Sequence, residues 1–292
     1  MSKTVLHPLR ISFRRLRRSI IRYWRLHAVV PRLLRFNAYS GFIGRRLFQY
    51  IPFLLPHDKS YYGFMHLVKP GDGLFLDVGA NDGISAIGFH HIHNDYRILS
   101  IEPNRCHEAS LKRLLRKLKG FDYRIIGAGE HSERKILYVP FFQGVPIYTA
   151  ASLDEHFVKS SMIKQFNELE CKAVVYEQQV IEIKRLDELN LKPDIIKIDT
   201  EGHDFSVLKG LVETLRRHRP SVLIEFNPSL YAGQKEFFDA FDYQLFAYDF
   251  KKDDFVVFDP VKQAAILQQR KEAQNIFCVP RAIVNTLPVR PA

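Results

Sequence analysis

The stretch Ile195-Ile196-Lys197-Ile198-Asp199-Thr200-Glu201-Gly202-His203-Asp204 sets four ionisable groups just beyond an apolar run. Such a run reads as a buried strand, and open α/β sheets bind ligands beyond the carboxyl ends of their strands. Asp199, Glu201 and His203 could orient a hydroxyl group and remove its proton. Asp199 closes the apolar run, where a carboxylate is costly without a partner, so a functional role is the preferred reading. Asp204 reads instead as a cap on the following helix. Glu225, ending the next strand, could hydrogen-bond an acceptor hydroxyl or neutralise His203. A divalent cation on Asp199, Glu201 and His203 is chemically open, but their i, i+2, i+4 spacing across a strand-to-loop junction argues weakly for one, and no metal is expected.

A second constellation lies upstream. Asp77-Val78-Gly79-Ala80-Asn81-Asp82-Gly83 falls where a first strand would turn into a first helix. Glycine there lets the backbone approach a ligand, and a helix start offers unpaired N–H donors. The spacing Gly79-x-x-x-Gly83 does not fit the G-x-G-x-x-G dinucleotide fingerprint, which demotes NAD. Glu102 follows at the end of the second strand, where an acid can accept both hydroxyl hydrogens of a ribose. A glycine turn after strand one and an acid after strand two together indicate a ligand containing a nucleoside.

The elements that must hold these groups alternate. Strands are expected at Leu74–Val78, Arg97–Ile101, 123–126, Ile195–Ile198 and Ser221–Glu225, with late strands at 244–249, 255–258 and 276–279. Helices are expected at 84–91, 107–119, 205–218 and 234–241. In the second helix Leu111, Leu114, Leu115 and Leu118 should share one side. Strands are also expected at 136–139 and 174–183, around a loop or helical insertion that would supply acceptor contacts together with the C-terminal strands. Tyr148, Phe157 and Tyr176 are candidates to stack on a sugar. The repeated strand–helix units imply a mostly parallel, doubly wound sheet.

The chain has 292 residues, with 43 Lys plus Arg against 32 Asp plus Glu. Residues 1–57 hold 12 of the basic groups and no acid, leaving 31 basic against 32 acidic residues in the rest. The expected organisation is therefore a basic, helical extension over 1–57 and one domain over 58–292. Leu9, Phe13, Leu16, Ile20 and Trp24 form an apolar helical stripe flanked by arginines, suited to lie on an anionic membrane surface. Docking on the body and an organelle-targeting presequence are the competing readings. Nucleic acid is not expected, because the charge sits in an arm rather than beside the pocket. Residues 136–153 are an uncharged run, but Pro140, Pro146 and Gly144 make a poor membrane span. Cys106, Cys171 and Cys278 have no metal spacing and suit a reducing compartment. The expected location is the cytoplasm, with peripheral contact at the inner face of the membrane.

The chain resembles the FkbM family of S-adenosylmethionine-dependent methyltransferases over roughly residues 63–280. The resemblance rests on residues 77–83, Ile101-Glu102-Pro103-Asn104, Arg185-Leu186-Asp187-Glu188-Leu189, Ile196–Gly202 and Arg219-Pro220-Ser221-Val222-Leu223-Ile224-Glu225. It implies a class I methyltransferase fold, a seven-stranded sheet with its last strand antiparallel. It further implies S-adenosyl-L-methionine as methyl donor and a hydroxyl of a sugar, glycolipid or related metabolite as acceptor. Asp77, Gly79 and Asn81 would line the methionine end, with Ala80, Gly83 and Ser85 beside them. Glu102 would hold the ribose next to Pro103 and Asn104, and Gly127 and Ala128 would approach the adenine. A non-catalytic membrane- or partner-binding protein on the same fold is the alternative.

Overall fold

The computed structural model describes residue 56 and residues 58–290, apart from 70, 143, 148, 149, 166–170, 201 and 271–274. The chain divides after Leu55, and the described residues belong to the second unit, Pro56–Ala292. The basic stretch with its proposed membrane surface, Tyr148 and Glu201 all lie outside the described residues.

Strands β1 (Leu74–Val78), β2 (Arg97–Ile101), β3 (Phe121–Arg124), β8 (Ile195–Ile198) and β9 (Ser221–Glu225) form the parallel centre of the main sheet. Its order is β13-β11-β10-β12-β9-β8-β1-β2-β3. Here β10 is Tyr243–Asp249, β11 Asp254–Val257, β12 Asn275–Pro280 and β13 Val289–Arg290. β12 runs antiparallel to both β9 and β10, as the resemblance implies for the last strand of a seven-stranded plan. The short strands β11 and β13 extend that plan to nine. The connections are helical: α1 (Ile84–Ile92), α2 (Glu108–Lys117), α4 (Asp204–Lys209), α5 (Val212–His218) and α6 (Tyr231–Ala240), with α3 (Glu155–Gln165) in the insertion and α7 (Pro260–Arg270) and α8 (Arg281–Val284) near the C-terminal end.

Alternation along β1 explains how the sheet is sandwiched. Leu74, Leu76 and Val78 join Ile196, Ile198, Val207 and Leu215 in the large aliphatic core. Phe75 points the other way and stacks on Phe89 of α1 with ring centroids 4.0 Å apart, beside Phe64. Asp77 shares the Phe75 side of the strand, so a carboxylate enters a covered face and must find partners there.

The segment 127–184 builds a second sheet in the order β4-β7-β5-β6, which the periodicity did not disclose. β5 (Glu133–Phe142) and β7 (Val174–Lys184) pair antiparallel over ten residues, with β4 (Gly127–Ala128) and β6 (Val145–Pro146) at the edges. Leu137, Val139, Ile181 and Ile183 form its own apolar cluster. Cys106 packs against that cluster and Cys278 lies in the main core; both are free thiols.

Several local expectations change. The helix expected over 205–218 splits at Gly210, a position where a Cβ would lie 2.1 Å from the Gly129 carbonyl oxygen and only glycine fits. Leu115 is 46% exposed and does not share the buried side of Leu111, Leu114 and Leu118. Asp204 does not cap its helix; its Oδ1 instead accepts the N–H and hydroxyl of Thr200, both at 2.7 Å. The Arg185–Leu189 phrase is structural. Asp187 accepts the backbone N–H groups of Glu213 and Thr214 at 3.0 and 2.9 Å and so caps α5.

One core residue is costly. Gln234 on α6 is fully buried, and neither its Nε2 nor its Oε1 meets a partner. An unmade amide hydrogen bond in such a place costs about 1–3 kcal/mol. Gln234→Leu should therefore raise stability by about 1–3 kcal/mol in urea unfolding, and a loss of stability would show that the amide is satisfied in solution.

Candidate active site

A cavity of about 720 Å³ opens at the carboxyl ends of β1, β2 and β8. This is the switch point of the sheet, since β2 and β3 are laid down on one side of β1 and β8 and β9 on the other. The main sheet supplies one wall and the second sheet with residues 151–157 supplies the other.

The turn after β1 is shaped by contact with β8. Gly79 has φ +77, and a Cβ on it would fall 1.8 Å from the Asp199 carbonyl oxygen. Only glycine allows β1 and β8 to approach so closely while the backbone turns left-handed. Asn81 also has positive φ (+53), and its N–H donates to Glu102 Oε2 at 2.8 Å. The other Glu102 oxygen accepts the Asn104 N–H at 2.8 Å. Two backbone donors therefore aim this nearly buried carboxylate at the cavity, and each oxygen keeps a free lone pair. Burial raises its pKa to about 7, against the pull of the Asn104 and Asn81 N–H groups and of Lys197.

Asn104 lies on the same wall. Its Oδ1 caps the short helix Arg105–His107 through the Cys106 N–H, while its buried Nδ2 has no partner. Ala80, Pro103, Gly127 and Ala128 also line the cavity, as expected. The first turn of α1 carries no side-chain cap, and Ile84 and Ser85 face the space, so this helix end favours an anionic group.

Two expected contacts, Asp77 and Gly83, stand outside the lining, and a third, Ser85, lines it with its hydroxyl held from beneath. Asp77 is wholly buried beneath the cavity wall, where its Oδ2 accepts the hydroxyls of Ser85 (2.6 Å) and Ser100 (2.9 Å). It fixes α1 and β2 against β1. The Ser85 hydroxyl is committed to that bond. Gly83 is absent from the lining; its left-handed backbone starts α1, and a Cβ would meet Leu114 of α2 at 2.2 Å.

On the acceptor side, Asp199 lines the cavity with its side chain 44% exposed. Lys197 Nζ lies 3.3 Å from Asp199 Oδ2. His203 also lines the cavity, but its Nε2 is buried without a partner; burial, helped by Lys135, lowers its pKa and keeps the ring neutral. Glu225 is not part of the lining, because β9 ends one strand beyond the cavity and Glu225 stands in register with Asn275 of β12. Among the described residues no three His, Cys, Asp or Glu side chains are placed to hold a metal ion; Glu201 is not among those residues.

Sequence reasoning missed Lys197, Lys135, Leu137, Asp154 and His107, all of which line the cavity. The lysine stood inside the noted phrase, and its charge in a buried strand was the available signal. The C-terminal strands contribute nothing to the lining, contrary to expectation, whereas residues 151–154 and Phe157 do. Tyr176 packs instead beside Ala150, Met162 and Val174.

The model of the methyltransferase FkbM domain matches residues 77–252, from the buried Asp77 to the turn after β10. The chain belongs to this family. No curated protein matches it. Among solved structures, the FkbM methyltransferase of Methylobacillus flagellatus is 17% identical, with a TM-score of 0.46, over 84% of this chain and 62% of its own length. This chain thus spans about three fifths of that relative. A fibrillarin of Aeropyrum pernix with natively bound S-adenosyl-L-methionine is 11% identical over 76% of each chain, with a TM-score of 0.38. Among the described residues of this FkbM-family chain, no helix is long and apolar enough to cross a membrane.

Proposed function

We propose that the chain transfers a methyl group from S-adenosyl-L-methionine to a hydroxyl oxygen, the acceptor being a sugar or glycolipid. The observation that carries the donor half is Glu102, held by two backbone N–H groups with lone pairs to spare at the switch point. The residues fit the donor. Glu102 would accept its ribose hydroxyls, the unpartnered Nδ2 of Asn104 would meet an acceptor atom of the adenosine, and the uncapped start of α1 would receive its carboxylate. The sulfonium supplies an already activated methyl group, so the protein has chiefly to align the acceptor oxygen.

On the acceptor side, Asp199 is the base. Its carboxylate is exposed to the cavity next to the Gly79 turn and can take the hydroxyl proton as attack proceeds. His203 is the weaker candidate, because its Nε2 is buried. Phe157, 44% exposed on the facing wall, offers an aromatic face to a sugar, and Ser152, Asp154 and Lys135 offer polar edges.

The test is the pH dependence of donor binding. Folding raises the Glu102 pKa to about 7, so the free protein keeps the carboxyl protonated below that pH and folding itself loses stability as pH rises through this window. Ribose hydroxyls favour the charged form, so binding S-adenosylhomocysteine should release a proton below about pH 7, and affinity should rise towards a plateau above it. Glu102→Gln should lower affinity by about 1–3 kcal/mol and flatten the profile, because an amide NH₂ would face a backbone N–H. Calorimetry showing unchanged affinity would remove Glu102 from the site.

A further inference from the structure

Lys197 occupies the third position of a four-residue central strand whose neighbours are all buried isoleucines, and it is itself 6% exposed. A lysine between two covered faces is unfavourable unless its charge is matched. It stands in register beside Asp77. Its Nζ donates to the Gly79 carbonyl at 2.9 Å and lies 3.3 Å from Asp199 Oδ2 and 3.6 Å from Asp77 Oδ1. The Asp77 oxygen has no hydrogen bond of its own, so the ammonium is its nearest compensation. One cation thus joins the turn that faces the donor, the acid that faces the acceptor and the brace beneath both.

We infer that Lys197 is the positioning residue that locks the Gly79 turn and the Asp199 carboxylate into one geometry. The inference rests on the proposed donor and acceptor sides. The charged and titratable groups around the ammonium are Asp77 from β1, Glu102 just after β2, Asp199 of the same segment, Asp204 at the start of α4 and the buried Tyr61 phenol, which feels the Asp77 charge. Burial opposes the lysine charge, but Asp199, Asp77 and Glu102 outweigh it and hold its pKa above the ordinary value. Reciprocally, Lys197 pulls the Glu102 pKa down against burial. A side chain that merely filled space would leave the ionisation of Glu102 alone.

The experiment uses the full chain with S-adenosylhomocysteine as probe, titrated calorimetrically from pH 6 to 9. Lys197→Met should weaken binding by roughly tenfold or more, and the midpoint of the affinity–pH profile should rise by about one unit or more, since a buried charge loses its partner. Lys197→Arg should bring the midpoint back, because that readout follows charge. Its affinity should stay reduced, because a planar fork cannot sit where a compact ammonium does. If Lys197→Met does not fold, Lys197→Arg decides: reduced affinity with a restored midpoint supports the inference, and wild-type affinity overturns it. A folded Lys197→Met with wild-type affinity and midpoint overturns it as well, while leaving the methyltransferase reading intact. A wild-type protein that binds no S-adenosylhomocysteine overturns that reading, and this inference with it.

Discussion

Gly79→Ala should abolish detectable binding of S-adenosylhomocysteine. The added Cβ would lie 1.8 Å from a backbone oxygen of Asp199, and no rotamer can move a carbonyl that ends a central strand. The left-handed φ of +77 adds to the conflict. Together these should cost about 2–5 kcal/mol, expressed as a lower melting temperature and as separation of the β1 and β8 ends that frame the cavity. Gly83→Ala is the informative comparison. Its Cβ meets the terminal methyl of Leu114, a side chain that can swing aside, so its cost should fall mainly on stability. If Gly79→Ala binds like the wild type in calorimetry while Gly83→Ala does not, the donor wall has been placed on the wrong glycine.

That contrast shows what the sequence could disclose. Strand ends were legible because a central parallel strand is largely apolar on both faces and gives way to a glycine or polar turn, as after Val78 and after Ile198. The same rule places Glu102 and Asp199 at strand ends, and both line the cavity. Asp77 and Gly83, expected beside the donor on the family resemblance, stand outside the cavity lining, because a buried brace and a ligand contact use the same residue types at the same spacing. What separates them is side-chain direction: Asp77 turns down towards Ser85 and Ser100, while Glu102 is turned up by two N–H groups. Glu225 failed for a topological reason, since being one strand further from the switch point removes a residue from the cavity however similar its strand end looks.

Strands at 136–139 and 174–183 were legible and are present within β5 and β7, but their pairing into a second sheet was illegible for another reason. β5 and β7 are ten and eleven residues long but are separated by more than thirty, and their register depends on pairing that no local pattern specifies. The inward residues Leu137, Val139, Ile181 and Ile183 do alternate, yet their partners across the ladder are invisible until the hairpin closes. Hence Lys135 and Leu137 were missed although they line the acceptor side. The donor side is built from local turns and could be read locally, whereas the acceptor side is built from long-range pairing.

Asp199→Asn should cut methyl transfer by about 10²- to 10⁴-fold, the range a positioned general base supplies. The amide keeps the shape of the carboxylate, and Lys197 retains Gly79 and Asp77, so the turn facing the donor should hold. Affinity for S-adenosylhomocysteine should therefore stay within a few-fold of wild type, measured alongside turnover. Glu102→Gln should show the opposite split, with a weakened donor KM and a maximal rate largely kept once donor saturates. Incubating wild type and both variants with radiolabelled methyl donor and fractionated cell extract reads the two effects side by side. His203→Gln should retain most activity, because the buried Nε2 cannot reach a proton in the cavity. Full activity in Asp199→Asn with collapse in His203→Gln would transfer the base to the imidazole. Such an exchange would require His203 to turn its ring out of the pocket formed beside Gly129 and Ser206, a rotation that would also relieve its unpartnered nitrogen.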